Sequence, residues 1–587
     1  MKLAIAYFCI SLFFVLLRGK LLHKTESRKQ TAFNSVRVCI EILALTWVTS
    51  YFNGNPPPST KHVLFAAILW GALFAWKYTS YKKTGSLPAS KWSPAFPVTL
   101  FIILFIRISA IWILRTFPVN DVESVITTLR LPLDGFTVIF VKNYLARALL
   151  PIVALTAALS CFFGEVCSIF KKPKITCASL TTVGIIVFFA LFIKEIPVSR
   201  YIDAIKSETA VMKSDLLEKH FIDADSLHIT APEKLRNLIW ILMESMENTF
   251  ADTASGGEAA TNYIPEITQL FEKNTGFSHS DKFGGGSDML GSYMTITATF
   301  SKSTGIPLLS RLRLDNKFIP GAKSIWQTLH RYGYENYFIM GTDSRFTKLN
   351  WFLNQHGMDQ IYDMKTLKDK QDAVMDETNK RTHSFEVGLT DQTLYTASKN
   401  YIDSISKNGK PFSVSIATIS THYPYGFYDK NCLEKPESRS DEDYYKATLR
   451  CSSREVNEFI EWCQKQDFAE NTLIVIVGDH LFMNNFPGKF LAHAREENRK
   501  WVTILINPAK TPSNKRRQFT SIDITPTMLE AMGFDIAEHR FGLGASLFSE
   551  EKTLLEIYGA DSLEAKLQAL AHDPEFFKRF VIENENQ

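Results

Sequence analysis

The chain has 587 residues, of which 46% are hydrophobic and 21% charged, with a formal net charge of +4. That length admits several domains, and no basic stripe interleaved with aromatics is present, which excludes a nucleic-acid role. The apolar residues are unevenly spread: long runs crowd the first 200 positions, and the remainder reads as a water-soluble domain.

Six apolar stretches, near 3–18, 36–53, 62–78, 95–115, 147–170 and 176–195, each approach the roughly 20 residues that cross a bilayer core. The first is followed by "RGKLLHKTESRK", where a secretory leader would carry a small-residue cleavage site, so it is read as a span. Basic residues gather after the first span (Arg18, Lys20, Lys24, Arg28, Lys29), the third (Lys77, Lys82, Lys83, Lys91) and the fifth (Lys171, Lys172, Lys174). The positive-inside rule puts those loops in the cytoplasm, and the chain after residue 196 on the outer side. Residues 120–136 are too polar to span and read as an interfacial helix; 197–232 read as an amphipathic linker closed by Pro232. The expected organisation is therefore a membrane domain at 1–196, the linker, a catalytic domain at 233–550, and a tail of amphipathic helices at 551–587 that pack on the domain or on the membrane surface.

From 233 onward strands and helices alternate. "NLIWILM" (237–243), "NYFIMG" (336–341), "FSVSIATIS" (412–420), "TLIVIVG" (472–478) and "WVTILIN" (501–507) read as strands, and "SIWQTLHRYGY" (324–334) as a helix closed by Gly333. The fold class is α/β with a mostly parallel sheet flanked by helices, in which ligands bind beyond the carboxyl ends of the strands. Those ends carry Glu244; Asp343 and Arg345; His422; and Asp479 with His480. Carboxylates and imidazoles converging on one edge suit a divalent cation such as Zn2+ or Mn2+. The stretch "GGGSDMLGSYMTITATFSKSTGIP" (284–307) reads as a glycine-rich loop opening a hydroxyl-rich helix, with Ser292 just after Gly291 and Thr295 one turn later. A hydroxyl at a helix start can be an N-cap, or a nucleophile activated by a metal.

Of eight cysteines, five lie in or beside apolar runs and none forms CxxC, so a zinc knuckle is not expected. In an oxidising compartment Cys432 and Cys451 are the expected disulfide.

With these residues in view, the chain resembles the alkaline-phosphatase/sulfatase-like transferases of bacterial envelopes: lipoteichoic acid synthase, the phosphoethanolamine transferases and the osmoregulated-glucan phosphoglycerol transferase. The resemblance rests on "NLIWILMESMENTF", "GSYMTITATFSKSTGIPLL", "NYFIMGTDSRF", "STHYPYGF", "CLEKPES…LRCS", "GDHLFMNN" and "SIDITPTMLEAMG", in order from about 237 to 533. It implies Glu244, Asp479 and His480 as ligands of one divalent metal. It makes the hydroxyl 15 residues before Pro307, Ser292, both ligand and nucleophile, with Thr295 as the lesser candidate. Arg345 and His422 fall where the family holds the phosphoryl group and the headgroup. Asp343 stands where lipoteichoic acid synthase has an aromatic residue, Asn484 supports the ligand turn, and His493 is placed for a second metal. The implied protein is a multi-pass bacterial inner-membrane enzyme with a periplasmic catalytic domain. It would take phosphoglycerol from phosphatidylglycerol to a glycan or envelope glycolipid. Phosphoethanolamine transfer from phosphatidylethanolamine to lipopolysaccharide, and a membrane-anchored hydrolase, are the alternatives. Residues 292–296, "SYMTI", lack the "CxPxR" or "SxPxR" context of a formylglycine sulfatase.

Overall fold

The computed structural model describes residues 213–309, 319–369, 388–422, 426–482 (except 430 and 439) and 494–580. Earlier in the chain it describes 10–17, 95–116 and 144–167, with scattered positions between 38 and 79, at 141, and between 179 and 186. The chain divides into two units, Met1–Phe117 with Val138–Ser199, and Pro118–Thr137 with Arg200–Gln587.

In the first unit, helix Ala95–Thr116 runs 22 residues. Its segment Phe96–Ile113 has a mean hydropathy of 2.2, and it is the one helix among the described residues long and apolar enough to cross a bilayer. Ile108 of this helix packs with Ala148, Ile152 and Leu155 of the helical stretch Leu145–Cys167, which opens with a π-helical turn at Leu145–Leu149. The expected spans at 36–53 and 176–195 lie largely outside the described residues, the interfacial helix at 120–136 wholly so, and those at 3–18 and 62–78 are described only in part.

The second unit is built on one sheet. Its strands are β1 (Asn237–Met243), β2 (Thr275–Gly276), β3 (Gly285–Gly286), β4 (Glu335–Met340), β5 (Gln360–Tyr362), β6 (Phe412–Ala417), β7 (Thr472–Gly478) and β8 (Trp501–Ile506). The order is β2-β8-β7-β1-β6-β4-β5, with β3 also pairing β8. Every residue of β1 is buried, because helices cover both faces of the sheet. Alternate residues feed two separate cores: Leu238, Trp240 and Leu242 one, Ile239, Ile241 and Met243 the other.

The sheet is mixed, with a parallel majority and an antiparallel edge. β7, β1, β6, β4 and β5 are parallel, but β8 runs antiparallel to β7, and β2 and β3 antiparallel to β8. The alternation of strands and helices that predicts parallel strands fails between β7 and β8. Among the described residues that connection holds only the short turn Glu496–Asn498, and a chain returning from the same edge without a crossover enters antiparallel.

The helices of this unit include α1 (Thr295–Thr304), α2 (Ile325–Arg331), α3 (Asp391–Ser406) and α4 (Asp441–Gln464). α2 begins at a capping box, Ser324 with Gln327, and its exit passes through Gly333 at φ +84°, a conformation glycine adopts without strain. The segment after 551 belongs to the same body: Leu563, Leu567, Leu570, Phe576 and Phe580 are buried in the first core. The end of the linker docks there too, through Ser214 N–H to Asp573 at 2.9 Å and a 2.6 Å Lys566–Asp215 ion pair.

Cys432 and Cys451 form a disulfide that ties the loop after His422 to α4. Asp429 of that loop and the neighbouring Asp391 and Glu455 are all buried. Burial, then the neighbouring Asp391 and Asp429, push the Glu455 carboxyl up to about 9. Two outcomes are expected. Replacing both half-cystines by alanine lowers the stability of the domain by about 3 kcal/mol, the loop-closure value for a bridge of this span, read from urea unfolding. For Glu455 the native state holds the proton between the ordinary 4.5 and about 9, so stability falls as pH rises through that window. Glu455→Gln removes the dependence, and its advantage over the parent chain should grow from pH 5 to pH 8.5; an advantage that does not change with pH would refute the neutral assignment.

Candidate active site at the carboxyl edge of the sheet

β1 and β7 pair in parallel register, Met243 opposite Gly478. The next residue on each strand is therefore Glu244 on one and Asp479 on its neighbour. Gly478 is required by close approach, since a Cβ there would lie 2.1 Å from the Met246 carbonyl oxygen. The Asp479 N–H continues the ladder to Met243 O at 3.0 Å. Its Oδ1 accepts the N–H groups of Ser245 at 2.7 Å and His480 at 2.8 Å. Ser245 sits at φ +50°, and its hydroxyl donates to Glu244 Oε1 at 2.6 Å. Strand β6 leads into Thr418, whose hydroxyl accepts the Glu244 N–H at 2.9 Å, and Thr421, whose hydroxyl donates to the Glu244 carbonyl.

His480 Nδ1 lies 2.9 Å from the Leu481 carbonyl, an acceptor only, so Nδ1 carries the proton and Nε2 presents its lone pair. Nε2 is 3.7 Å from Glu244 Oε1 and 3.5 Å from Asp479 Oδ2. One donor atom from each of the three residues lies within 4.8 Å of the others, and all three side chains are buried. Burial first, then Asp479, push the Glu244 carboxyl up to about 7, against the opposing pull of His422 and His480. His480 is raised although burial alone would lower it, because Asp479 and Glu244 favour its charged form. Two buried carboxylates and an imidazole lone pair aimed at one point fit a divalent cation of the zinc or manganese kind.

The glycine-rich loop brings Thr295, not Ser292, to this point. The Thr295 hydroxyl is 3.4 Å from Glu244 Oε2 and 3.4 Å from His480 Nε2. Ser292 is fully buried, and its hydroxyl closes a turn, donating to Met289 O at 2.9 Å and accepting Met289 N–H at 3.0 Å. The sequence places the helix start just after Gly291, but Gly291 is in the left-handed region and Met294 is still extended, so the first helical residue is Thr295.

The remaining expected residues are spread along the same edge or fall outside the described residues. His422 is half-buried near Glu244, on whose carboxyl its charge acts. Arg345 and Asp343 come just after β4 on this edge and engage each other, Arg345 Nε lying 2.9 Å from Asp343 Oδ1. That pairing holds the Asp343 carboxyl below its usual range. The Arg345 side chain is 55% exposed, as a group meeting a ligand from solution requires. Asn484 and His493 lie outside the described residues.

Sequence reading missed the groups that hold the ligand turn 479–482. Lys302 Nζ donates to the Asp479 carbonyl at 2.6 Å, and Asp288 Oδ2 accepts the Leu481 N–H at 3.2 Å. Glu247 Oε2 accepts the Phe482 N–H at 2.8 Å, and Arg499, paired with Glu247 at 2.7 Å, donates to the Phe482 carbonyl. Burial pushes the Lys302 ammonium down to about 8 against the pull of Asp288 and Asp479. A signal for Lys302 was present: it is the one cation in "TITATFSKST", seven residues after Thr295 and so on the same helix face.

A family model described as Sulfatase matches residues 236–534. Phosphoglycerol transferase I of Salmonella typhi is 28% identical over 357 residues, 60% of this chain and 43% of that protein. The Shigella flexneri protein of the same name is 28% identical over 365 residues, 61% of this chain and 44% of its own length. The match thus spans less than half of these curated relatives. Among solved structures, the lipoteichoic acid synthase LtaP from Listeria monocytogenes is similar at TM-score 0.43 and 15% identity, over 55% of this chain and 79% of that one. The lipooligosaccharide phosphoethanolamine transferase A from Neisseria meningitidis is similar at TM-score 0.42 and 13% identity, over 84% and 93%. With half of its length, the whole sheet from β1 to β8 and the Glu244–Asp479–His480 cluster inside the matched region, the chain belongs to the Sulfatase family.

Proposed function

We propose that this chain transfers a phospholipid headgroup, phosphoglycerol from phosphatidylglycerol, to a hydroxyl of an envelope glycan or glycolipid through a covalent intermediate on Thr295. The observation that carries the reading is the Thr295 hydroxyl at the start of α1, 3.4 Å from both Glu244 and His480. The phosphoglycerol transferase relatives supply the choice of headgroup.

Glu244, Asp479, His480 and the Thr295 oxygen would hold the metal. A bound divalent ion lowers the pKa of a coordinated hydroxyl and offsets charge on phosphoryl oxygens. The chain's own groups do the rest. The Thr295 hydroxyl gives its proton to solvent, and its Oγ1 forms the new bond to phosphorus, at a helix start that favours an anion. The bond from phosphorus to the diacylglycerol oxygen breaks, and that oxygen takes a proton from His422. Arg345 meets the phosphoryl oxygens, and Asp343 beside it faces the headgroup. A glycan hydroxyl then attacks the same phosphorus, giving its proton to the His422 imidazole left neutral by the first step, and Thr295 leaves as the oxyanion, a two-step displacement. A donor embedded in lipid accords with an anchored enzyme, and the Cys432–Cys451 disulfide accords with a catalytic domain on the oxidising, periplasmic side of the inner membrane.

Intact-protein mass after incubation with phosphatidylglycerol tests this. An adduct of phosphoglycerol mass is expected on the parent chain and on Ser292→Ala, and none on Thr295→Ala. An adduct lost in Ser292→Ala and kept in Thr295→Ala would return the nucleophile to Ser292. A phosphoethanolamine adduct from phosphatidylethanolamine, with none from phosphatidylglycerol, would replace the donor. A second expectation concerns Glu244→Gln. With the crowded carboxylate made neutral, the metal-free variant should melt no lower than the parent, yet gain none of the parent's stabilisation on adding Zn2+ or Mn2+.

A further inference from the structure

Lys302 is fully buried on α1, within an otherwise uncharged helix. Its ammonium donates to the backbone carbonyl of Asp479 at 2.6 Å and to Ser521 Oγ at 3.1 Å, and it lies 4.0 Å from the Trp501 ring centroid. Its own carbonyl accepts the Thr525 hydroxyl at 2.7 Å, so the helix is fixed at this end by two further elements. Seven residues separate it from Thr295, two helical turns or about 10 Å along one face. One rigid helix therefore carries the candidate nucleophile at its start and a buried cation fastened to the ligand turn at its end.

Burying an ammonium costs several kcal/mol unless its donors are well satisfied. A methionine or leucine would fill the same volume against Trp501 without that cost. What only a long cation supplies here is a strong, charge-assisted hydrogen bond to the Asp479 carbonyl. That bond fixes the peptide between Asp479 and His480, and with it the direction of both ligand side chains. Two residues further along the turn Asp288 accepts the Leu481 N–H at 3.2 Å, so the turn is held at two points.

We propose that Lys302 is a positioning residue for the metal cluster, setting Asp479 and His480 against Thr295 through the Asp479 carbonyl. This rests on the reading of Glu244, Asp479 and His480 as a metal site.

The experiment is titration of the metal-free full chain with Zn2+ and with Mn2+ by calorimetry, for the parent, Lys302→Met and Ser521→Ala. Lys302→Met is expected to weaken metal binding by about 10- to 100-fold, the usual loss when a group orienting a ligand is removed. Ser521→Ala removes the other hydrogen bond of the ammonium and should lower the melting temperature while leaving metal affinity within about threefold of the parent. A folded Lys302→Met chain with parental affinity overturns the proposal and leaves Lys302 a packing residue. If Lys302→Met does not fold, Lys302→Gln decides. Its polar end is tolerated but too short to reach the carbonyl, so weakened binding supports the proposal and parental binding overturns it. A parent chain that binds neither ion overturns the metal-site reading, and this proposal with it.

Discussion

The site depends on one constraint: the in-register parallel pairing of β1 with β7. Because Met243 lies opposite Gly478, the next residues on the two strands are forced side by side, and both are carboxylates. Like charges within 4.8 Å repel by about 3 kcal/mol even at an effective dielectric of about 20. The fold relieves this unequally. Asp479 receives two backbone N–H groups, whereas Glu244 receives two hydroxyls, Ser245 at 2.6 Å and Thr295 at 3.4 Å, and is pushed up to about 7. The pair is thus arranged for a cation and uncomfortable without one, while the hydrogen bond from His480 Nδ1 turns its Nε2 lone pair inward.

Such a cluster is useful only if the turn that carries half of it stays put. Residues 479–482 form no regular element, and a free turn would relax away from two crowded carboxylates. Instead its backbone groups end on charged side chains: the buried Lys302, Glu247 and Arg499, and the half-buried Asp288. The antiparallel return of β8 serves the same end, since it brings Arg499 back beneath the turn and lays Trp501 against Lys302. The departure from an all-parallel sheet is thereby part of how the site is built.

Much of this was legible in the chain. Strands of β-branched residues that stop at Glu244 or at Gly478-Asp479-His480 announce both the sheet and the ligand edge, because buried apolar runs and charged ends are strong one-dimensional signals. The direction of β8 was not legible, since a strand's apolar pattern is the same in either direction and only its connection decides. Nor was the choice between Ser292 and Thr295. Both are hydroxyls near a helix start, and the difference lies in three extra residues, from Ser292 to Met294, spent in a turn before the helix begins. Lys302, Asp288, Glu247 and Arg499 come from separate parts of the chain and meet only in three dimensions. Each reads alone as an ordinary charged residue.

Membership in the Sulfatase family fixes the framework of the site more firmly than its chemistry. The strand ends supply the carboxylates of the edge, and the sequence around α1, "SYMTITATF", offers hydroxyls beside them. A threonine oxygen that takes up a phospholipid headgroup holds it as a phosphodiester, which persists until a second hydroxyl displaces it. The fate of the group is then set by what reaches the phosphorus from the open side of the edge. Arg345 stands on that edge with its side chain 55% exposed, paired with the less exposed Asp343. On the proposed reading, donor and acceptor choice is to be sought in the loops after β4 and β6, and the common step in the buried cluster beneath them.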